Sequence, residues 1–485
     1  MAPEITLLPI LPEVFVAFMA GVILIVDLYV VDERRAAVFY LSLSVLVVAG
    51  LIAVFGMSAE REMFLNQMLV KDMLGDVVKA AVCLSSAAVL LYSRQYLEQR
   101  GMLKGEYFVL ALFAVLGMMV MSSANHFLVL YLGLELMSLC LYAMVAFQRD
   151  SELGTEAAMK YFVLGALASG MLLYGMSILY GLSGSLEIGV VRGAVAQLSI
   201  DNTALIFAVV FVVVSLAFKL GVAPFHMWVP DVYHGAPTAS TLFVATAPKI
   251  AGFAIVMRLL VDGLGDLHSV WRDMVIVLAV LSIATGNLIA IAQVNFKRLL
   301  AYSAISHMGF LLLGVLAGTA AGYSAALFYS LAYALMTLGG FGMIALLSRA
   351  DDECDQLTDL QGLNARHPWY AFLLLLLMIS MAGIPPTLGF FAKLWVIQAI
   401  VDVGLVWLAV VAVLFAVVGA FYYLRVIKLM YFDEPAADLP IEGERSMRVL
   451  LGLNACGLVL ILPWIGLLRD LCQAAITSMT GGAAP

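Results

Sequence analysis

Apolar residues come in blocks of about twenty along almost the whole chain, separated by short polar stretches. A helical block of that length crosses a bilayer, since each residue adds about 1.5 Å against ~30 Å of hydrocarbon. Blocks near 6–31, 36–56, 77–96, 107–123, 126–147, 157–180, 203–233, 239–262, 271–294, 297–318, 321–348, 369–402, 404–431 and 447–468 predict about fourteen spans. Barrel strands would instead give short alternating segments. The expected fold class is an all-α polytopic membrane protein.

Two blocks are interrupted. The block 203–233 is broken at Gly221 and Pro224, and 369–402 at Pro385 and Pro386. Proline lacks an amide hydrogen and clashes with the preceding turn. Within a bilayer the freed backbone groups are tolerated only against protein or water. Roughly five spans separate the two breaks, and an odd repeat length inverts the second copy, as in many transporters. Asn125 and Asn295 open corresponding spans that carry Glu135 and His307. The lysines do not match: Lys219 precedes its break, whereas Lys393 follows the other.

Composition agrees with the pattern. Of 485 residues, 64% are hydrophobic and only 12% charged, more apolar surface than a soluble chain of this length could bury. The net charge of −8 is spread over loops without a basic stripe, so no nucleic acid is expected as a partner. Cys83, Cys140, Cys354, Cys456 and Cys472 are scattered without a CxxC, which argues against an iron–sulfur or zinc site. There is no P-loop and no GxGxxG between a strand and a helix, so neither ATP nor a dinucleotide is expected to bind. The opening MAPEITLLPILPEVF lacks the basic region and cleavage site of a signal peptide and reads as part of a retained first span. Fifteen of the 25 Lys and Arg, Arg34 among them, fall in odd-numbered loops, and five in even-numbered loops and the C-terminal end. That bias places the odd loops in the cytoplasm and both chain ends on the periplasmic side.

Charges inside apolar blocks point to chemistry. Glu135 lies mid-span in YLGLELMSLCLYA, Lys219 beside the first break, Lys249 in the next block, His307 in SAISHMGF and Lys393 after the second break. A charge at the bilayer centre costs a few kcal/mol, so it is rarely retained without use. Desolvation disfavours a charged lysine and a nearby carboxylate favours it, so such a pair can take up and release a proton as its separation or hydration changes. Lys219 is the expected opposite charge for Glu135. His226, His234 and Asp231 near the first break are further candidates, either relay members or loop hydrogen-bonders. Glu156 and Lys160, four apart at a helix start, read as a surface pair or a cytoplasmic proton entry. Lys79, Arg258, Arg425 and Lys428 lie near block ends and read as inert ion pairs or snorkelling side chains. Lys297-Arg298 reads as a positive-inside anchor.

At these residues the sequence resembles a known family. FKLGVAPFHMWVPDVYHGAPT, TAPKIAGFAIVMRL, NFKRLLAYSAISHMGF and AGIPPTLGFFAKLWV are similar to signature segments of the antiporter-like subunits of respiratory complex I. The likeness covers about residues 6–470. It is greatest to subunit N: the length leaves no room for the lateral helix of subunit L, and Lys393 stands where the M-type subunit carries glutamate. The resemblance implies three N-terminal helices (1–106), two inverted five-helix repeats (107–262 and 263–431) with helices seven and twelve broken, and a C-terminal loop and helix (432–485). It implies a proton relay of Glu135, Lys219, Lys249, His307 and Lys393, with His226 as the histidine after the first break. It also implies a bacterial inner-membrane location, beside the antiporter-like M subunit and the small K and J subunits. NADH, FMN, iron–sulfur clusters and quinone are then expected in partner subunits, with no cofactor bound by this chain. A subunit of a multisubunit cation/proton antiporter is the alternative, since it shares the buried charges.

Overall fold

A computed structural model describes residues 8–30, 35–350, 352–435 and 443–481. Arg34, both chain ends and part of the acidic loop after residue 432 lie outside the described residues.

The apolar blocks form helices, in chain order α1 (Leu11–Asp27), α2 (Ala36–Phe55), α3 (Met73–Gln99), α4 (Gly105–Ser122), α5 (Phe127–Val145) and α6 (Glu152–Ser183). After the short α7 (Ile188–Val195), the first broken span is α8 (Thr203–Leu220) and α9 (Trp228–Gly235). The next span runs from Thr238 to Gly263 as α10 (Thr238–Ala245), α11 (Ala247–Val256) and a π-helical turn, Met257–Gly263. Then come α12 (His268–Ile291), α13 (Phe296–Leu316), α14 (Ala320–Leu347) and the one-turn α15 (Leu363–Arg366). The second broken span is α16 (Pro368–Ala382) and α17 (Leu388–Asp402). Last are α18 (Val406–Phe432), α19 (Arg445–Leu460) and α20 (Ile465–Thr480).

Among the described residues twelve helical runs are long and apolar enough to cross a membrane. The pair α19 and α20, bent by 53°, adds a thirteenth, while α16, at 15 residues, is a shorter apolar helix that the break separates from α17. The protein is a multi-span helical membrane protein of the expected class. The last element differs from expectation: it runs to Thr480 rather than 468 and bends where Pro463 removes a backbone donor. The chain is also not purely helical, because β1 (Glu62–Phe64) and β2 (Leu69–Lys71) pair as a hairpin that seats on Ser123 and Asn125. Asn125 therefore does not cap its helix; its amide donates to the Gln67 carbonyl, whereas Asn295 does cap α13.

Helix starts follow local chemistry. Asp72, Ser151, Asn202, Asn295 and Thr319 each accept a first-turn amide with the side chain, satisfying one orphan donor. The interior is formed by the span 238–263 and by α13 and α14, which other helices surround on nearly all sides.

The two breaks share one backbone plan. α8 ends at Gly221 (φ +76°) and α16 at Gly383 (φ +82°). At each, the glycine amide and the next one turn back to carbonyls of the last helical turn. This Schellman-type ending needs a left-handed residue, which glycine adopts without a side-chain clash. Three residues on, Pro224 and Pro386 both follow cis peptide bonds. A Cβ at Gly221 would lie 2.6 Å from the Val229 side chain and 3.3 Å from Lys249 Nζ. Gly221→Ala is expected to destabilise the protein by roughly 1–3 kcal/mol through left-handed strain and crowding, read as a lower unfolding temperature of the assembled protein.

One charge reading needs correction and two are decided between their alternatives. Lys79 and Arg258 form ion pairs and do not snorkel: their side chains are 1% and 0% exposed. Lys79 sits between Glu13 and Asp76, while Arg258 binds Asp72 through both terminal nitrogens at 2.6 and 2.7 Å. Lys297 is likewise no surface anchor, being 1% exposed and 2.8 Å from Glu353. Charge at a span end reads as solvated in one dimension, but here each cation meets a carboxylate from another element. Lys428, with its side chain mostly exposed and paired to Asp433, fits the snorkelling expectation. Arg425 donates to the Ile291 and Gln293 carbonyls at the end of α12.

Candidate functional site

Five candidate relay residues fall into three local groups. In the first, Lys219 on α8 donates to Ser138 on α5 at 3.0 Å and to Ser169 on α6 at 3.1 Å. Ser169 in turn hydrogen-bonds the Glu135 carboxylate. The expected direct Glu135–Lys219 ion pair is therefore replaced by a serine bridge. Residues 135 and 138 lie one turn apart, so both face the same gap. Ser138 and Ser169 were missed by sequence reasoning, because a serine in an apolar helix usually bonds its own backbone.

The second group is at the first break. A helix that stops inside the bilayer leaves carbonyls unpaired. Lys249, on α11 and 2% exposed, donates to the Leu220 carbonyl at 2.7 Å, and Trp228 Nε1 to the Phe218 carbonyl at 3.0 Å. Ser282 on α12 takes the Ala223 amide at 2.8 Å. Lys249 also lies 5.0 Å from the Trp228 ring centre, in cation–π range. Trp228 stacks on Tyr161 and meets Tyr233 edge-on.

The third group is at the second break and repeats that solution. Lys393 Nζ donates to the carbonyls of Met381 (3.0 Å) and Ala382 (2.8 Å), and lies 5.2 Å from the Phe310 ring. Lys249 and Lys393 thus both cap the severed first half of a broken span, although one comes from the next span and the other from the same one. Phe310 stacks on Tyr329, whose hydroxyl is 2.7 Å from His307 Nδ1. Tyr423 reaches His307 Nε2 at 3.3 Å and also contacts Ser303. Tyr333 packs on His307 at 5.5 Å. The hydroxyls of Tyr233 and Tyr333 are buried against each other.

The peripheral candidates sort differently. Lys160 is 2.7 Å from both Glu156 and Asp231, and Arg298 is 3.0 Å from Asp231. Three sequence candidates therefore meet in one half-exposed cluster that Arg298 joins. His234 is half-buried on α9, in the field of Asp231, Arg298 and Lys297. His226 lies in the break with Nδ1 buried and without a partner among the described residues. Pro224, Pro385 and Pro386 are exposed and contribute no polar contact to the row.

Nearby, Glu353 ties the loop after α14 to three helices. It accepts from Lys297, Arg100, Thr238 and Tyr96. Burial pushes its carboxyl up, but Lys297 and Arg100 outweigh burial and hold it at about 2, below the ordinary 4.5. A depressed carboxylate adds stability that is present above its unfolded value and lost as pH falls through the folded one. Glu353→Gln is therefore expected to flatten the stability-versus-pH curve between pH 4.5 and about 2, seen by acid unfolding of variant and parent.

Comparison with known proteins fits this geometry. A family model described as NADH:quinone oxidoreductase/Mrp antiporter, TM matches residues 124–419. A protein of Thioalkalivibrio sulfidiphilus named NADH-quinone oxidoreductase subunit N is 56% identical over 471 residues, covering 97% of this chain and 98% of its own. One of the same name from Thiobacillus denitrificans is 61% identical over 446 residues, 92% of each chain. A chain of respiratory complex I from Thermus thermophilus superposes with a TM-score of 0.83 at 29% identity, over 96% of this chain and 100% of that one. A chain of the Mrp complex from Dietzia has a TM-score of 0.86 at 20% identity, over 100% and 99%, and shares the fold. With more than half of the sequence matched by the family model and subunit N proteins matched almost end to end, the chain belongs to the NADH:quinone oxidoreductase/Mrp antiporter family, in its subunit N group.

Proposed function

We propose that this chain is a proton-translocating membrane-arm subunit of a NADH:quinone oxidoreductase, and that the buried row from Glu135 to Lys393 carries the proton. The observation that carries the reading is the pair of lysines at the breaks. Lys249 and Lys393 hold carbonyls of severed helices and have no carboxylate within ion-pair distance among the described residues. A lysine held only by neutral groups can give up its proton without leaving a partner charge buried. The Glu156–Lys160–Asp231 cluster is the entry, Lys249 the first acceptor, and Trp228, Tyr233, Tyr333 and His307 line the way to Lys393. Glu135 sets the proton affinity of Lys219 through Ser169, whose hydroxyl can reorient as either partner changes charge. The repeats span 107–262 and 263–431, the entry faces the cytoplasm, and both chain ends are periplasmic in the bacterial inner membrane. Redox groups and quinone belong to partner subunits, among them the M, K and J neighbours.

Subunit N relatives at 56–61% identity support the redox-linked reading over a cation/proton antiporter, whose matched chain is 20% identical. The test is Lys219→Ala in the assembled complex. Proton stoichiometry and NADH–quinone turnover should fall together, while electron transfer from NADH to a hydrophilic acceptor stays intact. Full stoichiometry in the variant would remove Lys219 from the relay. Sodium/proton exchange by the chain without redox partners would favour the antiporter instead.

A further inference from the structure

A further group of buried charges outside the central row lies at the end of α3 that follows the β1–β2 hairpin. Asp76 and Tyr96 are 20 residues apart on this helix, which puts this end about 30 Å from the Glu353 cluster. Lys79 Nζ is 2.8 Å from Glu13 Oε1 and 3.8 Å from Asp76 Oδ1. Ser123 also donates to Glu13 Oε1, at 3.0 Å. The side chains of Glu13, Asp76 and Lys79 are 7%, 3% and 1% exposed. Glu13 Oε2 and Asp76 Oδ2 are buried without a hydrogen-bond partner among the described residues.

The surrounding charges do not fill those two positions. Asp72 is taken by both terminal nitrogens of Arg258, and Asp262 by Arg61. Lys71, at the half-buried end of β2, acts on Asp76 through its charge but forms no ion pair with either acid among the described residues. Cys83, one turn beyond Lys79, contacts the Met119 sulfur. Two carboxylates therefore share one ammonium in a buried setting, each with one oxygen unserved among the described residues. Like charges sharing a site cannot both ionise at low dielectric, and one proton between them relieves the excess.

We propose that Glu13, Asp76 and Lys79 form a second proton-binding site, apart from the central row, in which the two carboxyl groups share one proton. The protonated group gains a hydroxyl donor, and the remaining carboxylate stays matched to Lys79. The ligand is a proton, and its place beside the hairpin suits exchange with the face opposite the Glu353 cluster. The site does not depend on the central row carrying protons, and its test needs no turnover.

The test is infrared difference spectroscopy of the purified assembled complex, following the carbonyl stretch of protonated carboxylic acids and its shift in D2O. Because the proton is shared, Asp76→Asn and Glu13→Gln should each remove one carboxylic acid signal, although each variant keeps the other acid. Loss in only one of them, or in neither, overturns the shared site. Where an acidic variant does not assemble, Lys79→Met decides: removing the ammonium should add a second carboxylic acid signal, and an unchanged spectrum overturns the proposal. If sodium at constant pH removes the parental signal, the ligand is a metal cation and the proposal fails.

Discussion

Lys249→Ala is expected to abolish proton uptake by this subunit, with coupled NADH–quinone turnover reduced on the order of a hundredfold, the scale of a lost proton-transfer group. Two effects contribute and can be separated. Removing the ammonium leaves the Leu220 carbonyl unserved at the end of a helix inside the bilayer. An unpaired buried acceptor costs about 1–3 kcal/mol, so some loss of stability follows even without a relay. Lys249→Arg separates the two. Arginine can still donate to a carbonyl and stack on Trp228, but it does not deprotonate in proteins. If Lys249 carries a proton, the arginine variant assembles and stays as uncoupled as the alanine variant. If Lys249 only ties off the break, arginine restores pumping. The measurement is proton uptake per NADH oxidised in proteoliposomes, beside electron transfer to a hydrophilic acceptor as an assembly control.

The largest loss of stability is expected for Arg258→Ala. Arg258 is fully buried on the π-helical turn, with Asp72 held by both terminal nitrogens and the Ser122 carbonyl by Nε at 2.9 Å. Asp72 also caps α3 by accepting the Gly75 amide, so one guanidinium joins the end of the central span to the start of α3 and the end of α4. Breaking a buried pair by removing one partner costs about 3–5 kcal/mol, because the other charge is left uncompensated. Lysine should not substitute, since it lacks the planar fork. Asp72→Asn on the Arg258→Ala background should recover part of the loss, as asparagine still caps the helix and carries no charge. Thermal unfolding of the purified complex and the amount of this chain in assembled membranes give the two readouts. A double variant no more stable than Arg258→Ala would show that the loss lies in packing and not in the stranded charge.

The elements and their class were legible because the bilayer imposes a simple rule. A block of about twenty apolar residues has to satisfy its own backbone, and a helix is the local way to do so. The two interruptions were legible for the same reason: glycine and proline at Gly221–Pro224 and Gly383–Pro386 break that rule where nothing in the sequence restores it. Glu135, Lys219, Lys249, His307 and Lys393 stood out as charge or histidine inside apolar blocks. The bent end of α20 was not legible, because Arg469, Asp470 and Gln473 give the segment a polar face that reads as the edge of the membrane.

What the charges bind was decided by tertiary structure alone. In the sequence, Lys79 and Arg258 read as inert ion pairs or snorkelling ends, with no partner named, and Lys219 looks like the counter-ion of Glu135. In the fold, Lys79 and Arg258 are buried among carboxylates of other elements, and Ser169 stands between Glu135 and Lys219. The shared position of Lys249 and Lys393 could not be read either, since Lys249 lies on the span after its break and Lys393 on the broken span itself. Sequence spacing reports neighbours on one helix, three or four residues apart. A pairing between helices depends on how they pack, and in this chain the unpaired carbonyls of a broken helix, not a sequence offset, set where a lysine is held.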